Sequence, residues 1–138
     1  MGTIKRFEEI EAWQTARRLT KLIYEKSSKG DFSKDYGLKD QIRRASVSVM
    51  SNIAEGFESD TQALFISYLG RAKASAGEVR SQLYIAFDMH YLSEEEFILL
   101  KQLIEKCSRQ IYGLMRYLKS QPNSRRLKEE AAFYTLIG

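Results

Sequence analysis

The sequence holds a single proline, a single cysteine, a single histidine and a single tryptophan in 138 residues. The proline is Pro122, so everything before it is free of the strongest helix breaker, and only a mostly helical chain has use for such a stretch. A lone Cys107 excludes an internal disulfide. Its place on an apolar helix face makes it a small buried hydrophobe rather than a nucleophile, and a reducing compartment suits it. His90 has no second histidine or cysteine to share a metal with and completes no Ser-His-Asp set. In line with the seam of a helix and near its end, it reads as a packed or capping histidine. No glycine loop cradles phosphate, because Gly70 and Gly77 lie seven apart on one helix face, a spacing that suits close helix approach. Glu94, Glu95 and Glu96 gather at the start of a helix, where the dipole accounts for them. These absences lead us to expect a protein that is not an enzyme and uses no cofactor or metal. No long uncharged apolar run occurs, and Met1 to Glu9 is polar apart from Ile4 and Phe7. Neither a leader nor a membrane span is expected, and the cytoplasm is the expected location.

What is present fits one domain. A chain of this length buries roughly two thirds of the surface that its unfolded form exposes, enough for a core without staples. Lysine and arginine number 22 against 18 acidic residues, for a net charge of +4. That tilts moderately toward acidic partners such as nucleic acid.

Apolar periodicity places four helices. The first spans about Phe7 to Lys29 and ends at Gly30. A short loop follows in which Ser33 or Asp35 caps the next helix and Phe32 tucks inward. The second runs from about Tyr36 to Phe57. Ser59 with Gln62 forms a capping box for the third, which reaches about Tyr91, and Ser93 with Glu96 forms another for the fourth. The seam of the fourth is Phe97, Leu100, Ile104, Cys107, Ile111, Leu114 and Leu118. Connections this short make neighbours antiparallel, so the expected fold class is all-α, an up-down-up-down four-helix bundle over residues 1–121. Residues 122–138 form a tail, basic at Arg125 and Arg126 and apolar at Phe133, Tyr134, Leu136 and Ile137. Four such groups favour docking, as a short helix, on this bundle or on a neighbour.

The segment Gln41 to Gly56 is the most informative. Leu38, Ile42, Ala45, Val49, Asn52 and Gly56 repeat at spacings of four and three, a helix seam with an asparagine and a glycine inside it. Val47, Met50, Ala54 and Phe57 fall on a second apolar side, which asks for another copy of the chain. Asn52 in a seam sets register and partner number, and Glu55 near a helix C-terminus needs a compensating donor, here or on a second subunit. Level matching about the turn near Ser59 sets Ala45, Ser46 and Ser48 against Ala72, Ser75 and Ala76. It also brings Arg43 or Arg44 within reach of Glu78 as an ion pair.

Cations for a nucleic-acid contact are Arg17, Arg18 and Lys21 on the first helix and Arg44 on the second. Arg71, Lys73 and Arg80 lie on the third, Arg109 and Arg116 on the fourth. They are spread over all helices, so a monomer offers a weak footprint that a ring of copies would multiply.

Three runs carry a resemblance: Gln41-Ile42-Arg43-Arg44-Ala45, then Asn52-Ile53-Ala54-Glu55-Gly56, then Ala72 with Ser75 and Glu78. Together with Trp13-Gln14, Tyr36-Gly37-Leu38 and Tyr91-Leu92 they resemble the four helix bundle protein family, the S23-type 23S rRNA intervening-sequence proteins. Ser33 stands where a proline is usual, Ala74 where glycine is usual, and Met89-His90 where Leu-Gly is usual. The resemblance implies a homopentamer, in which Arg43, Ala45, Asn52, Ala54, Glu55, Gly56, Ala72, Ser75 and Glu78 serve packing or assembly. A more distant kinship is with the accessory variability proteins of diversity-generating retroelements, which bind nucleic acid and a reverse transcriptase. The expected partners are therefore the chain itself and RNA or DNA, with a reverse transcriptase as the alternative, and no membrane.

Overall fold

The computed structural model describes residues 3–122. Among them are four α-helices and no strand: α1 (Glu11–Ser27), α2 (Tyr36–Glu58), α3 (Gln62–Asp88) and α4 (Glu94–Ser120). Two short 3-10 turns, Phe7–Glu9 and Gly30–Lys34, precede α1 and α2. Each helix packs on two others, α1 on α2 and α4, and α3 on the same two, with the most extensive contact between α2 and α3. This is a four-helix bundle. The tail from 123 onward, with its docking residues and Arg125 and Arg126, lies outside the described residues.

One apolar stripe per helix builds the core. Leu19 and Ile23 of α1, Ile42, Val49 and Ile53 of α2, Leu69, Val79 and Leu83 of α3, and Leu100, Ile104 and Ile111 of α4 are all but sealed from solvent. Phe32 is buried as expected, stacked on Tyr91 at 5.2 Å between ring centres. Leu103 joins the fourth seam, while Leu118 is only half-buried.

The helix ends depart from expectation in physical detail. Phe7 to Lys29 is not one helix, because Ile10 is extended (ψ 121°) and separates the 3-10 turn from α1; Gln14 Nε2 bridges the break by donating to the Glu8 carbonyl at 2.8 Å. Helix α1 stops at Ser27, and Gly30 (φ +53°) opens the following 3-10 turn in a conformation that a side chain disfavours. Asp35 rather than Ser33 caps α2, accepting from the Leu38 N–H at 3.1 Å. Thr61, not Ser59, caps α3 by accepting from Leu64 N–H at 3.1 Å. Gln62 is thereby released to donate to the Leu118 carbonyl, tying the start of α3 to the end of α4. The Ser93–Glu96 capping box is present in both directions, at 3.1 and 2.9 Å.

His90 is not in the seam of α3. It follows the helix, exposed, with φ +62°, while its N–H reaches the Phe87 carbonyl and the Tyr91 N–H the Ala86 carbonyl. That pair of bonds is the Schellman close of a helix, with histidine at the left-handed position that glycine usually fills.

The waist between α2 and α3 falls where level matching sets it. Ser48 and Ser75 share a hydrogen bond of 2.9 Å, with Ala45, Ser46, Ala72 and Ala76 buried around it. Close approach is enforced lower down by Gly56, where a Cβ would stand 2.8 Å from Tyr68 Cβ and 3.3 Å from the Phe65 carbonyl. The expectation for Gly77 is corrected: a Cβ there would meet nothing within 4 Å, so it lies in open space, and on Gly70 a Cβ would only touch Met115 at 3.9 Å.

Candidate nucleic-acid interface

Each arginine of the Gln41–Gly56 segment is held by a different neighbour. Arg43 turns to the C-terminal end of α1, where Nε donates to Ser27 Oγ at 2.8 Å and the guanidinium to Ser28 Oγ at 3.0 Å, with Cζ 4.5 Å over the Tyr24 ring. The negative end of the α1 dipole favours that placement. Arg44 pairs with Asp40 one turn earlier at 2.9 Å. Neither makes the ion pair with Glu78 that level matching suggests. Arg44 and Glu78 do line one cleft of about 290 Å³ between α2 and α3, but the guanidinium reaches a carboxylate on its own helix with less ordering of the chain.

Asn52 is half-buried, and Ile53 takes the fully buried seam position instead. Its amide donates to the Ser48 carbonyl at 2.9 Å and to Ser48 Oγ at 3.0 Å, so it buttresses the Ser48–Ser75 rung from within its own helix. Glu55 is exposed, and its carboxylate makes no hydrogen bond or ion pair among the described residues. On the second apolar side of α2, Met50 and Phe57 pack partly against the core, Ala54 is half-buried, and Val47 stays 40% exposed.

The cations expected to meet nucleic acid separate into two groups. Those of the first half of the chain stand apart: Arg17 lies over Trp13 at 5.8 Å, Arg18 and Lys21 are exposed on α1, and Arg44 is neutralised by Asp40. Arg71 covers Tyr68 at 4.9 Å. The remaining four converge. Lys73 and Arg80 of α3 and Arg109 of α4 line one groove of about 320 Å³ with Tyr112, Ser108 and Glu105. Lys73 Nζ and Arg116 Cζ each stand 5.9 Å from the centre of the Tyr112 ring. Three cations against one carboxylate leave the groove positive. None of the four cations is engaged in an ion pair among the described residues, where the pairs are Arg6–Glu8, Lys26–Glu96 and Arg44–Asp40. Lys73 and Arg80, seven apart, share a face of α3, with Gly77 between them adding no bulk.

The sequence carries a signal for this groove. Level matching about the turn that joins α3 to α4 sets Lys73 beside Tyr112 and Arg80 beside Glu105, which turns cations scattered along the chain into one surface.

The described residues contain no cluster of three or more histidine, cysteine, aspartate or glutamate side chains able to hold a metal ion. No described helix is long and apolar enough to cross a membrane. Cys107 is sealed in the core, where burial pushes its thiol up to about 12 and the sulfur donates to the Ala12 carbonyl at 3.4 Å.

No curated protein matches the sequence. Among solved structures, the chain is similar to a protein of unknown function from the S23 ribosomal protein family of Bacteroides thetaiotaomicron VPI-5482. The TM-score is 0.70 at 17% identity, covering 76% of this chain and 95% of that one, a likeness of fold. The family model of the 23S rRNA-intervening sequence proteins matches residues 8–113. That span takes in α1, α2, α3 and most of α4, including the Asn52–Gly56 run and both walls of the groove, and the chain belongs to the 23S rRNA-intervening sequence protein family.

Proposed function

We propose that this protein is a non-enzymatic nucleic-acid-binding bundle that holds phosphates in the groove between α3 and α4. The observation that carries this reading is the convergence of Lys73, Arg80 and Arg109, none of them ion-paired, beside an exposed tyrosine. Unpaired cations surrender little on meeting a phosphate, and each phosphate neutralised releases condensed counterions. The bundle is of the up-down-up-down kind. In support, contacts between successive helices join late residues of one to early residues of the next, as Tyr24 and Ser27 with Arg43 and Gly56 with Tyr68. Assembly as a homopentamer would repeat the groove around a ring. The exposed Val47 on α2 supports a self-contact on that side.

Electrophoretic mobility shift with a structured RNA across a salt series tests the reading. Replacing Lys73, Arg80 and Arg109 together by alanine is expected to lower the slope of log affinity against log salt by about 2–3 per groove. Replacing Arg17, Arg18 and Lys21 should leave it nearly unchanged. Failure of the native protein to bind even at low salt would overturn the proposal. Mass measurement in solution tests the pentamer, and a monomer at micromolar concentration would refute it.

A further inference from the structure

Tyr112 lines the groove between α3 and α4, Tyr84 follows one turn beyond Arg80 on α3, and both rings keep much of their surface in water. Tyr112 is 51% exposed and Tyr84 42% exposed. Each has cations at its ring: Lys73 and Arg116 at 5.9 Å from Tyr112, and Lys101 at 5.8 Å from Tyr84. Arg80 of α3 and Arg109 of α4 belong to the same groove as Tyr112. Lys73 marks the level of Tyr112 on α3, so the helical rise from Lys73 to Tyr84 separates the two rings by about 16 Å along the bundle. A large ring left in solvent does nothing for the core, and Tyr112 has no aromatic partner among the described residues, whereas Tyr84 leans edge-on against Phe97 at 5.2 Å.

Alternating cations and exposed rings match the chemistry of an unpaired nucleic-acid strand, whose bases offer π-faces while its phosphates run alongside. A duplex hides its base faces in the stack and can use only the cations. We infer that the groove takes single-stranded nucleic acid, with Tyr112 as a stacking platform for one base, Tyr84 as a second platform, and Lys73, Arg80 and Arg109 on the phosphates between them. This inference rests on the proposed nucleic-acid reading and narrows it to one class of ligand. The open surface at Gly77, between Lys73 and Arg80 on α3, leaves the strand room to approach the helix.

The test is fluorescence anisotropy with the full chain and three probes: an oligouridine strand of about twelve nucleotides, within the range of a short stacking groove, an RNA duplex of the same length, and an abasic ribose-phosphate strand of that length. Oligouridine is expected to bind at least tenfold more tightly than the duplex or the abasic strand. Tyr112→Ala should weaken oligouridine binding about 5- to 100-fold with an unchanged salt slope, since stacking and not charge is removed. Tyr112→Phe, which keeps the π-face, should bind like the native protein. Because Tyr112 is half in solvent, its truncation spares the core, and circular dichroism melting checks that each variant folds. Equal affinity for strand and duplex, or a Tyr112→Ala variant that binds like the native protein, would overturn the single-strand inference and leave phosphate binding by the groove standing. Absence of binding to all three probes at low salt would remove both.

Discussion

The Tyr91 hydroxyl donates to Asp35 Oδ2 at 2.9 Å, while Asp35 Oδ1 caps α2 by accepting from the Leu38 N–H at 3.1 Å. One carboxylate therefore fastens the start of α2 to the chain leaving α3, and the same bond to Asp35 is the first cause holding the Tyr91 phenol above its ordinary pKa. Tyr91 also stacks on the buried Phe32. This junction requires the chain to turn sharply just before Tyr91, and His90 makes the turn.

His90 adopts φ +62°, where a Cβ is strained by about 1–2 kcal/mol. Glycine is the residue that this geometry favours. His90→Gly should therefore raise stability by about 0.5–1 kcal/mol, the strain relief less the added freedom of glycine in the unfolded chain. Chemical denaturation of the two proteins measures it. His90→Val, branched at the strained position, should shift the midpoint the other way.

The glycines of α2 and α3 make a paired prediction. Alanine at Gly56 would set a methyl 2.8 Å from Tyr68 Cβ and 3.3 Å from the Phe65 carbonyl, and backbone cannot swing aside as a flexible chain end can. Gly56→Ala should cost about 1–3 kcal/mol through overpacking, despite alanine's better helix propensity. At Gly77 the added methyl meets nothing within 4 Å, so Gly77→Ala should stabilise by about 0.5–1 kcal/mol through propensity alone. Urea midpoints that moved in the same direction for both would contradict the packing described between α2 and α3.

These positions show what could be read before the structure. The four helices, the Ser93–Glu96 box and the Ser48–Ser75 level follow from periodicity, capping chemistry and helical rise, all of which are local or nearly so. Gly56 and Gly77 look alike as letters, and only the neighbouring helix decides which one is crowded. Arg43 and Arg44 likewise sit side by side in the chain. Their partners, the hydroxyls ending α1 and the carboxylate of Asp40, depend on which direction each side chain leaves α2. The groove was partly legible, since its cations were all named from the sequence. Their convergence needed the register between α3 and α4.

The Glu96 carboxyl is held below its ordinary range, first by the Ser93 N–H and then by Lys26, whose Nζ lies 2.9 Å away. A carboxyl depressed by folding adds stability above its unfolded-state pKa and loses it as pH falls through the folded value. Glu96→Gln can keep the capping hydrogen bond but not the charge. The native protein should therefore be more stable than this variant at pH 7, with the difference shrinking below about pH 4.3 and vanishing in stronger acid. Thermal melting of both proteins from pH 7 to pH 2 reads the gap, which should stay modest because both side chains remain partly exposed. A gap that widened on acidification would contradict the assigned sign.

Cys107 should be chemically silent while the bundle is folded. Its sulfur is fully buried between α4 and α1, it donates to the Ala12 carbonyl at 3.4 Å, and burial pushes the thiol up to about 12. The thiolate is the reactive form, and an ordinary cysteine titrates near about 8.5, so at pH 8 burial removes both the nucleophile and the path to it. A disulfide reagent at pH 8 should label the native protein only as fast as the bundle opens, whereas the chain in denaturant should react within the mixing time of an ordinary thiol. Raising the pH from 7 to 9 should speed labelling of the denatured chain about tenfold or more, following its thiolate fraction. Native labelling that is rapid and tracks the same pH curve would mean that Cys107 is accessible, and the packing of α4 against α1 would have to be redrawn.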